Sequence, residues 1–503
     1  MTESIKIFFF LSFLIIVSYV LFSTVLSVVI NKDDIKRYTI AMLSVTAFAC
    51  FSPGFWIFVA VLVFFLVMFI NKSIDNRINY FFVLVFCLPN LWQEVPGIWG
   101  IRYFIELSYP RLLILLLLAP ILLYRRGTPS PVYRRIDMFV ISIVLLQTLL
   151  GFRDVTLTAA IRNGILLTID ILVPYFVISR YVITLDKYKT VLTILLFIIL
   201  SISVISIFEF IKKWHLYNSI LDSLGVMNSH SIYLIRAGML RASAIFYSPI
   251  ELGLVMCMGF GLYLFLYKHI CITKKHYLIP VFLITGLFVS LSRGPWLGFV
   301  ILLFTYSYLK RSVIKDFVLF MSMFIVMLPV LSMTNLWKTF ISLLPFIGDV
   351  ESENITYREK LLDVSLSVFM KHPLFGDFNY RDDPDMSILI QGQGIVDVVN
   401  SYVNILLSYG IFALLIYTIL FVYLLIIVYK QAKLIEPMND EIGRLGYALV
   451  SIFLSLLFII STVSSIDLIP YIIWITVALM AGYSRLAHDY LKTQHLNKAS
   501  TSI

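Results

Sequence analysis

Apolar runs that approach the roughly 20 residues needed to cross a bilayer follow one another along nearly the whole of this 503-residue chain. In lipid every backbone N–H and C=O must find its partner inside the chain, so such runs fold as helices rather than open sheets or loops. They lie near 5–30, 39–70, 78–91, 111–124, 136–150, 160–179 and 187–211, then near 249–267, 277–292, 295–309, 316–332, 400–429, 444–462 and 466–484. Ser52-Pro53-Gly54 parts the 39–70 run into two short helices. The expected fold class is all-α, a polytopic integral membrane protein of about 14 transmembrane helices. With 60% hydrophobic and only 14% charged residues, a soluble domain of this size is excluded.

The formal net charge of +10 does not point to nucleic acid, because the cations are divided among short loops rather than gathered in one stripe. Arg125-Arg126 with Arg134-Arg135, Arg180 with Lys187 and Lys189, Lys268 with Lys274-Lys275, Lys310-Arg311 with Lys315, and Lys430 with Lys433 alternate with loops of the other side. By the positive-inside rule those basic loops and the tail with Arg485, Lys492 and Lys498 are cytoplasmic. External loops are then 92–110, 213–248 and 333–398, the last carrying ten acidic residues against five Lys and Arg. The side of the N-terminus depends on whether 39–70 crosses once or twice. The first run is too long for a signal-peptide core and is read as a spanning helix. Cys50, Cys87, Cys257 and Cys271 lie in or beside apolar runs without metal-ligand spacing, so neither a disulfide framework nor a metal site is expected.

One polar knot, Leu291-Ser292-Arg293-Gly294-Pro295-Trp296-Leu297-Gly298, interrupts two apolar runs. Proline suits the first position of a helix, and a helix N-terminus offers free amide donors and positive dipole character. Arginine beside such a terminus makes an anion site, most naturally for phosphate; a plain interfacial anchor with Trp296 in the aromatic belt is the alternative. Upstream, the first large loop carries His215, His230, Arg236 and Arg241 and re-enters the membrane at Ser248-Pro249-Ile250-Glu251, with Glu251 placed for the first turn of the next helix. In the second, Leu361, Leu362, Val364, Leu366, Val368 and Phe369 recur at roughly helical spacing. This predicts an amphipathic helix on the outer membrane face, ended by His372-Pro373 and Gly376.

Several separated stretches together resemble the O-antigen ligase and polysaccharide polymerase superfamily: Arg236 to Gly253, the Ser292–Trp296 break, Arg358 to His372-Pro373-Leu374-Phe375-Gly376, and Asn400-Ser401-Tyr402 followed by Tyr409-Gly410-Ile411. Asp170 to Arg180, with Pro174-Tyr175, is similar to the exopolysaccharide branch of that family. The likeness runs over about 160–430 as a membrane core with its external loops, 1–159 adding N-terminal helices and 431–503 a C-terminal helix pair and tail. It implies a GT-C-like glycosyltransferase in the bacterial inner membrane, facing the periplasm. Such an enzyme moves a glycan whole from undecaprenyl diphosphate without nucleotide sugar, cofactor or metal. Implied partners are the lipid-linked oligosaccharide, bilayer lipids, and a chain-length regulator and flippase of the same pathway.

A diphosphate leaving group needs cations where charge develops. Arg236, Arg241, Arg293 and Arg358 are the external arginines available, and the guanidinium fork suits phosphate. Many ligases of the family have a histidine just before the Asn-x-Tyr motif; here that position is Val399. The general base is then to be sought in Asp397 or Glu251, with His230 and His372 behind them, and Asn400 and Tyr402 as acceptor-side candidates. The missing histidine favours a polymerase over a ligase acting on lipid A core. A transporter, which would hold its polar residues near the midplane, is the rival from another class.

Overall fold

The computed structural model describes residues 2–124, 131–226, 233–236, 238–311, 352–390 and 396–500. Four helices open the chain: α1 (Thr2–Leu26), α2 (Lys32–Phe51), α3 (Phe55–Phe69) and α4 (Ile74–Leu84). An antiparallel hairpin follows, β1 (Trp92–Pro96) and β2 (Tyr103–Ser108), and leads into α5 (Tyr109–Leu113), extended to Leu123 by a π and a 3-10 segment. Next come α6 (Pro131–Asp154), then α7 (Leu157–Leu167) joined through a π segment at Thr168–Leu172 to α8 (Val173–Tyr181), then α9 (Leu185–Lys212) and the short α10 (Asn218–Leu224). A small hairpin, β3 (Ile235–Arg236) and β4 (Met239–Leu240), precedes α11 (Pro249–Ile270), α12 (Leu278–Val289) and α13 (Arg293–Leu309). The chain closes with α14 (Ser352–Lys371), α15 (Ser401–Ile435), α16 (Asp440–Ile460) and α17 (Ile469–Ser500).

Polar residues set the boundaries. Ser73, Thr184, Ser248, Asn400 and Asn439 each turn a side-chain oxygen onto an orphan amide of the helix that follows. Among the described residues eight helices are long and apolar enough to cross a membrane, and Phe55–Phe69, Tyr109–Leu123 and Leu278–Val289 are shorter apolar helices. The predicted run at 316–332 lies outside the described residues. The predicted division of 39–70 is present as α2 and α3. Hairpins were not predicted; they occur in connections between apolar helices, where paired strands satisfy backbone groups that no helix covers.

The bundle has two distinct faces. α11 runs from Ser248-Pro249 to Lys268 and His269, which pair with Asp440 and Glu441 at 2.8 and 2.7 Å. Its 22 residues span roughly 33 Å, so the basic loops and the 213–248 loop stand a bilayer's thickness apart. Glu3 lies 3.3 Å from Ser219 Oγ, and Lys6 sits 4.8 Å over the Trp214 ring. The N-terminus therefore shares the face of the 213–248 loop, opposite the basic loops.

Among the described residues, each large loop of this face is tied to the bundle. Buried Glu209, near the end of α9, accepts Leu216 N at 3.0 Å and Ala244 N at 2.8 Å, pinning both limbs of the first loop, while His215 brings its Nδ1 to 3.3 Å from the same carboxylate. The described part of the second loop begins with α14, longer at its start than the predicted helix. Leu361 and Val368 of α14 pack on Tyr380, Met386 and Leu389, while Leu362, Leu366 and Met370 form an exposed apolar stripe that lipid would cover. Beyond it the chain docks on α15 backbone to backbone: Asp377 N donates to Leu407 O (2.8 Å) and Ile411 N to Pro373 O (3.0 Å). This close approach requires Gly410, a kink with φ 75°, where a Cβ would lie 2.3 Å from Leu374 O.

Gly410→Ala should therefore lower stability by roughly 2–4 kcal/mol, from backbone strain and the steric clash. The expected outcome in a thermal-shift measurement in detergent is a clear drop in melting temperature, with earlier proteolytic cleavage of the 372–400 stretch; an unchanged melting curve would contradict this docking.

Candidate active site

The polar knot folds as a tight turn between α12 and α13. Leu291 adopts φ 46°, a left-handed conformation that a branched side chain rarely takes, and the strain is held in place by the bonds around it. α13 starts at Arg293, two residues before the predicted start at Pro295, so the arginine sits within the first turn. A cation there opposes the helix dipole, and the Ser292 side chain caps none of the free amides. An anion would answer both.

The β3–β4 hairpin lies across this turn. Arg236 Nη1 donates to Leu291 O at 2.6 Å, Arg241 donates through Nε to Ser290 O at 3.3 Å and through Nη2 to Ser292 Oγ at 2.8 Å, and Ala242 N donates to Val289 O at 3.0 Å. α14 brings Arg358, whose Nη2 reaches Thr462 O at 3.4 Å. Arg236, Arg241, Arg293 and Arg358 thus line one cavity of about 410 Å³, together with Ser292, Gly294, Thr462, Ile250 and Val399. Among the described residues, no carboxylate lines it. Carbonyl oxygens orient three of the guanidinium groups, and four cationic side chains meet at this one concavity.

The candidate bases stand beside this cavity rather than in its wall. Glu251 lies in the first turn of α11, as predicted, next to Ile250, and is wholly buried with its carboxyl against that of Asp467. Asp397 is half-buried two residues from Val399; its carboxylate accepts Ser464 Oγ, and its carbonyl accepts the Tyr357 hydroxyl at 2.9 Å. Tyr247 stands among these acids: burial first, then the negative charge of Asp397, Glu251 and Asp467, holds its hydroxyl above the ordinary range.

Of the remaining predicted residues, those described do not line the cavity. Asn400 is the N-cap of α15, accepting Tyr402 N at 2.9 Å and Val403 N at 3.2 Å, and the Tyr402 hydroxyl donates to Leu457 O at 2.9 Å. Both are explained by helix capping and packing. His372 is exposed at the end of α14, outside the cavity wall, and His230 lies outside the described residues.

Sequence reasoning missed Thr462, Tyr247 and above all Asp467. The signal for Asp467 was present, because Ser464-Ser465-Ile466-Asp467-Leu468-Ile469-Pro470 repeats the grammar of the arginine knot, a charge between two apolar runs before a proline-started helix. Asp467 also has φ 50°, so strained non-glycine backbone recurs at this face, at Leu291, Ala244 and Asp467.

Burial pushes the Asp467 carboxyl above its ordinary value of 3.8, so folding favours the protonated acid. Its contribution to stability is complete below that value and is lost as pH rises through the raised one. Between wild type and Asp467→Asn, melting temperatures followed from pH 4 upward should diverge, the wild type losing stability relative to the uncharged variant; parallel curves would contradict this environment.

Residues 278–418 match the family model for O-antigen ligase. That stretch contains Arg293, Arg358, Asp397 and Val399, whereas Arg236, Arg241, Glu251 and Asp467 fall outside it and join the site only through folding. No curated protein matches the chain.

Proposed function

We propose, on the premise that residues 278–418 make this chain a member of the O-antigen ligase and polymerase superfamily, that it is a polysaccharide polymerase. In this reading it transfers a glycan en bloc from undecaprenyl diphosphate to the end of another lipid-linked repeat unit of exopolysaccharide or O-antigen. The reaction takes place at the outer face of the inner membrane, the side away from the basic loops. The observation that carries it is the gathering of four arginines from the β3–β4 hairpin, α13 and α14 around one cavity that no described carboxylate lines.

No nucleotide sugar is supplied on the outer face, so a glycosyl donor there comes activated on a lipid. Its diphosphate seats among Arg236, Arg241, Arg293 and Arg358, with the amides of the α13 N-terminus behind it. The acceptor hydroxyl attacks the anomeric carbon, a new C–O bond forms, and the bond from that carbon to the phosphate oxygen breaks. Undecaprenyl diphosphate leaves with the electron pair, and the hydroxyl proton passes to the acid cluster of Asp397 and Glu251. The guanidinium groups neutralise the charge that grows on the leaving oxygen, so the step as written calls for no metal. Partners of the pathway, a flippase that delivers the repeat and a chain-length regulator, belong to the same proposal.

Val399 favours the polymerase over the ligase. It lines the arginine cavity at the position where many ligases of the family carry a histidine, so the proton acceptor here is a carboxylate. Midplane carriage of a solute is less well supported, because the four arginines collect at one end of the bundle.

Arg293→Ala and Arg241→Ala should each lower polymer formation about 100-fold or more, the scale of losing one transition-state stabiliser, while membrane levels of the protein stay normal. Surface glycan on gels should collapse to single repeats; wild-type ladders from both variants would overturn the reading, and long unligated chains left on the carrier in a null strain would indicate the ligase instead. In an assay with purified lipid-linked repeat, Asp397→Asn and Glu251→Gln test the acid cluster. At least one should lose about two orders of magnitude in turnover, and full turnover in both would remove these acids from the mechanism.

A further inference from the structure

Next to the arginine cavity, on the same face of the bundle, lies a second cavity of about 430 Å³. It is built by the β1–β2 hairpin, α5, the π segment between α7 and α8, and the start of α17. The loop between α16 and α17 supplies both cavities, Thr462 to the first and Asp467 to the second. Tyr247 N donates to Asp467 Oδ2 at 3.4 Å, and the Glu251 carboxyl abuts the same group, so the buried Asp467–Glu251 pair lies between the two spaces, Glu251 being one of the acids of the proposed proton transfer.

The chemistry of the second cavity is the reverse of the first. Its arginine, Arg111, is committed: Nε and Nη2 hold Asp170 at 3.0 and 2.9 Å, and Nη1 donates to Glu106 O at 2.8 Å. Asp170 also accepts the Tyr471 hydroxyl at 2.8 Å. Arg111 is thus shared between Asp170 and the Glu106 carboxylate 3.8 Å away, the acids of this wall outnumber its one arginine, and an anion such as a diphosphate is disfavoured. Trp92, Trp474 and Tyr471 supply ring surface in the same wall. Carboxylate acceptors beside aromatic faces fit a neutral, polyhydroxylated ring, whose hydroxyls donate outward around its edge and whose C–H faces are apolar.

We propose that this second cavity is a sugar-binding subsite for the end of the acceptor glycan, with Trp92 covering a ring face and Glu106 and Asp467 accepting its hydroxyls. The assignment to the acceptor rests on the reading of the arginine cavity as the donor's diphosphate site. A sugar held there presents a hydroxyl at the Asp467–Glu251 partition, on the far side of which the donor's anomeric carbon would lie. The motif at Asp170, which the diphosphate site leaves unused, then acquires a role, because it pins Arg111 and the hairpin that roofs the subsite.

The test uses the full chain in lipid nanodiscs and measures equilibrium binding of two probes, inorganic pyrophosphate and the lipid-free repeat glycan released by mild acid from the producing strain's own carrier. In Trp92→Ala and in Glu106→Gln, glycan binding should weaken at least 10-fold while pyrophosphate binding stays within 2-fold of wild type; in Arg293→Ala the pattern should reverse. Retained pyrophosphate binding shows that the hairpin variants are folded. Glycan binding unchanged in both Trp92→Ala and Glu106→Gln overturns the subsite. Loss of pyrophosphate binding from the wild type itself, with glycan binding still sensitive to Trp92 and Glu106, would overturn the arginine reading and leave a sugar site in place.

Discussion

Four guanidinium groups brought to one cavity repel one another, and specific bonds at this face hold Arg236, Arg241 and Arg358 in place. Two unit charges 6 Å apart repel by roughly 3 kcal/mol at an effective dielectric of about 20. That tension is held by backbone oxygens at the break between α12 and α13, where the carbonyls of Ser290 and Leu291 hold Arg241 and Arg236 in place, and by the Thr462 carbonyl under Arg358. Carbonyls fix the direction of these groups, and an anionic ligand suits a cavity at which four arginines meet. The strained Leu291 fits this account, because its φ of 46° turns its carbonyl to the guanidinium that holds it.

A chain that must lie in lipid makes such a site costly to assemble, which explains where the supporting polar groups are found. Glu209 commits a buried carboxylate to two loop amides so that the segment carrying Arg236 and Arg241 has fixed ends. Gly376 and Gly410 allow the second loop to meet the kinked α15 along its backbone, which places the segment that ends in Asp397 and Val399 next to the cavity. Helices α9, α11, α16 and α17, buried along most of their length, form the rigid frame on which these loops rest.

The sequence made a large part of this legible, and the reasons are physical. Helix existence followed from apolar run length, whereas the caps at Ser248, Asn400 and Asn439 that set the helix starts are seen only in the folded chain. The arginines could be gathered from opposite ends of the core because a charge next to an apolar run is expensive, so each one advertises a purpose. Asp467 escaped because apolar runs on either side of a short loop read as a simple hairpin, and only folding shows that the loop separates two cavities. The hairpins escaped as well: β3 and β4 are two residues each, shorter than any periodicity can register. Asn400 and Tyr402, expected on the acceptor side, are seen in the folded chain as the cap of α15 and a hydroxyl bonded to Leu457 O. The glycines of the other motifs, Gly376 and Gly410, are where the second loop meets α15 backbone to backbone.

The account stands or falls on what occupies the arginine cavity. Cryo-electron microscopy of the protein in nanodiscs with added undecaprenyl diphosphate is the most direct measurement. The account predicts density for two phosphates inside the cavity, within hydrogen-bonding distance of Arg241 and Arg293 and flanked by Arg236 and Arg358. Diphosphate density seated on the opposite face, among Lys268, Lys189 and the other basic loops, with the arginine cavity empty, would contradict it.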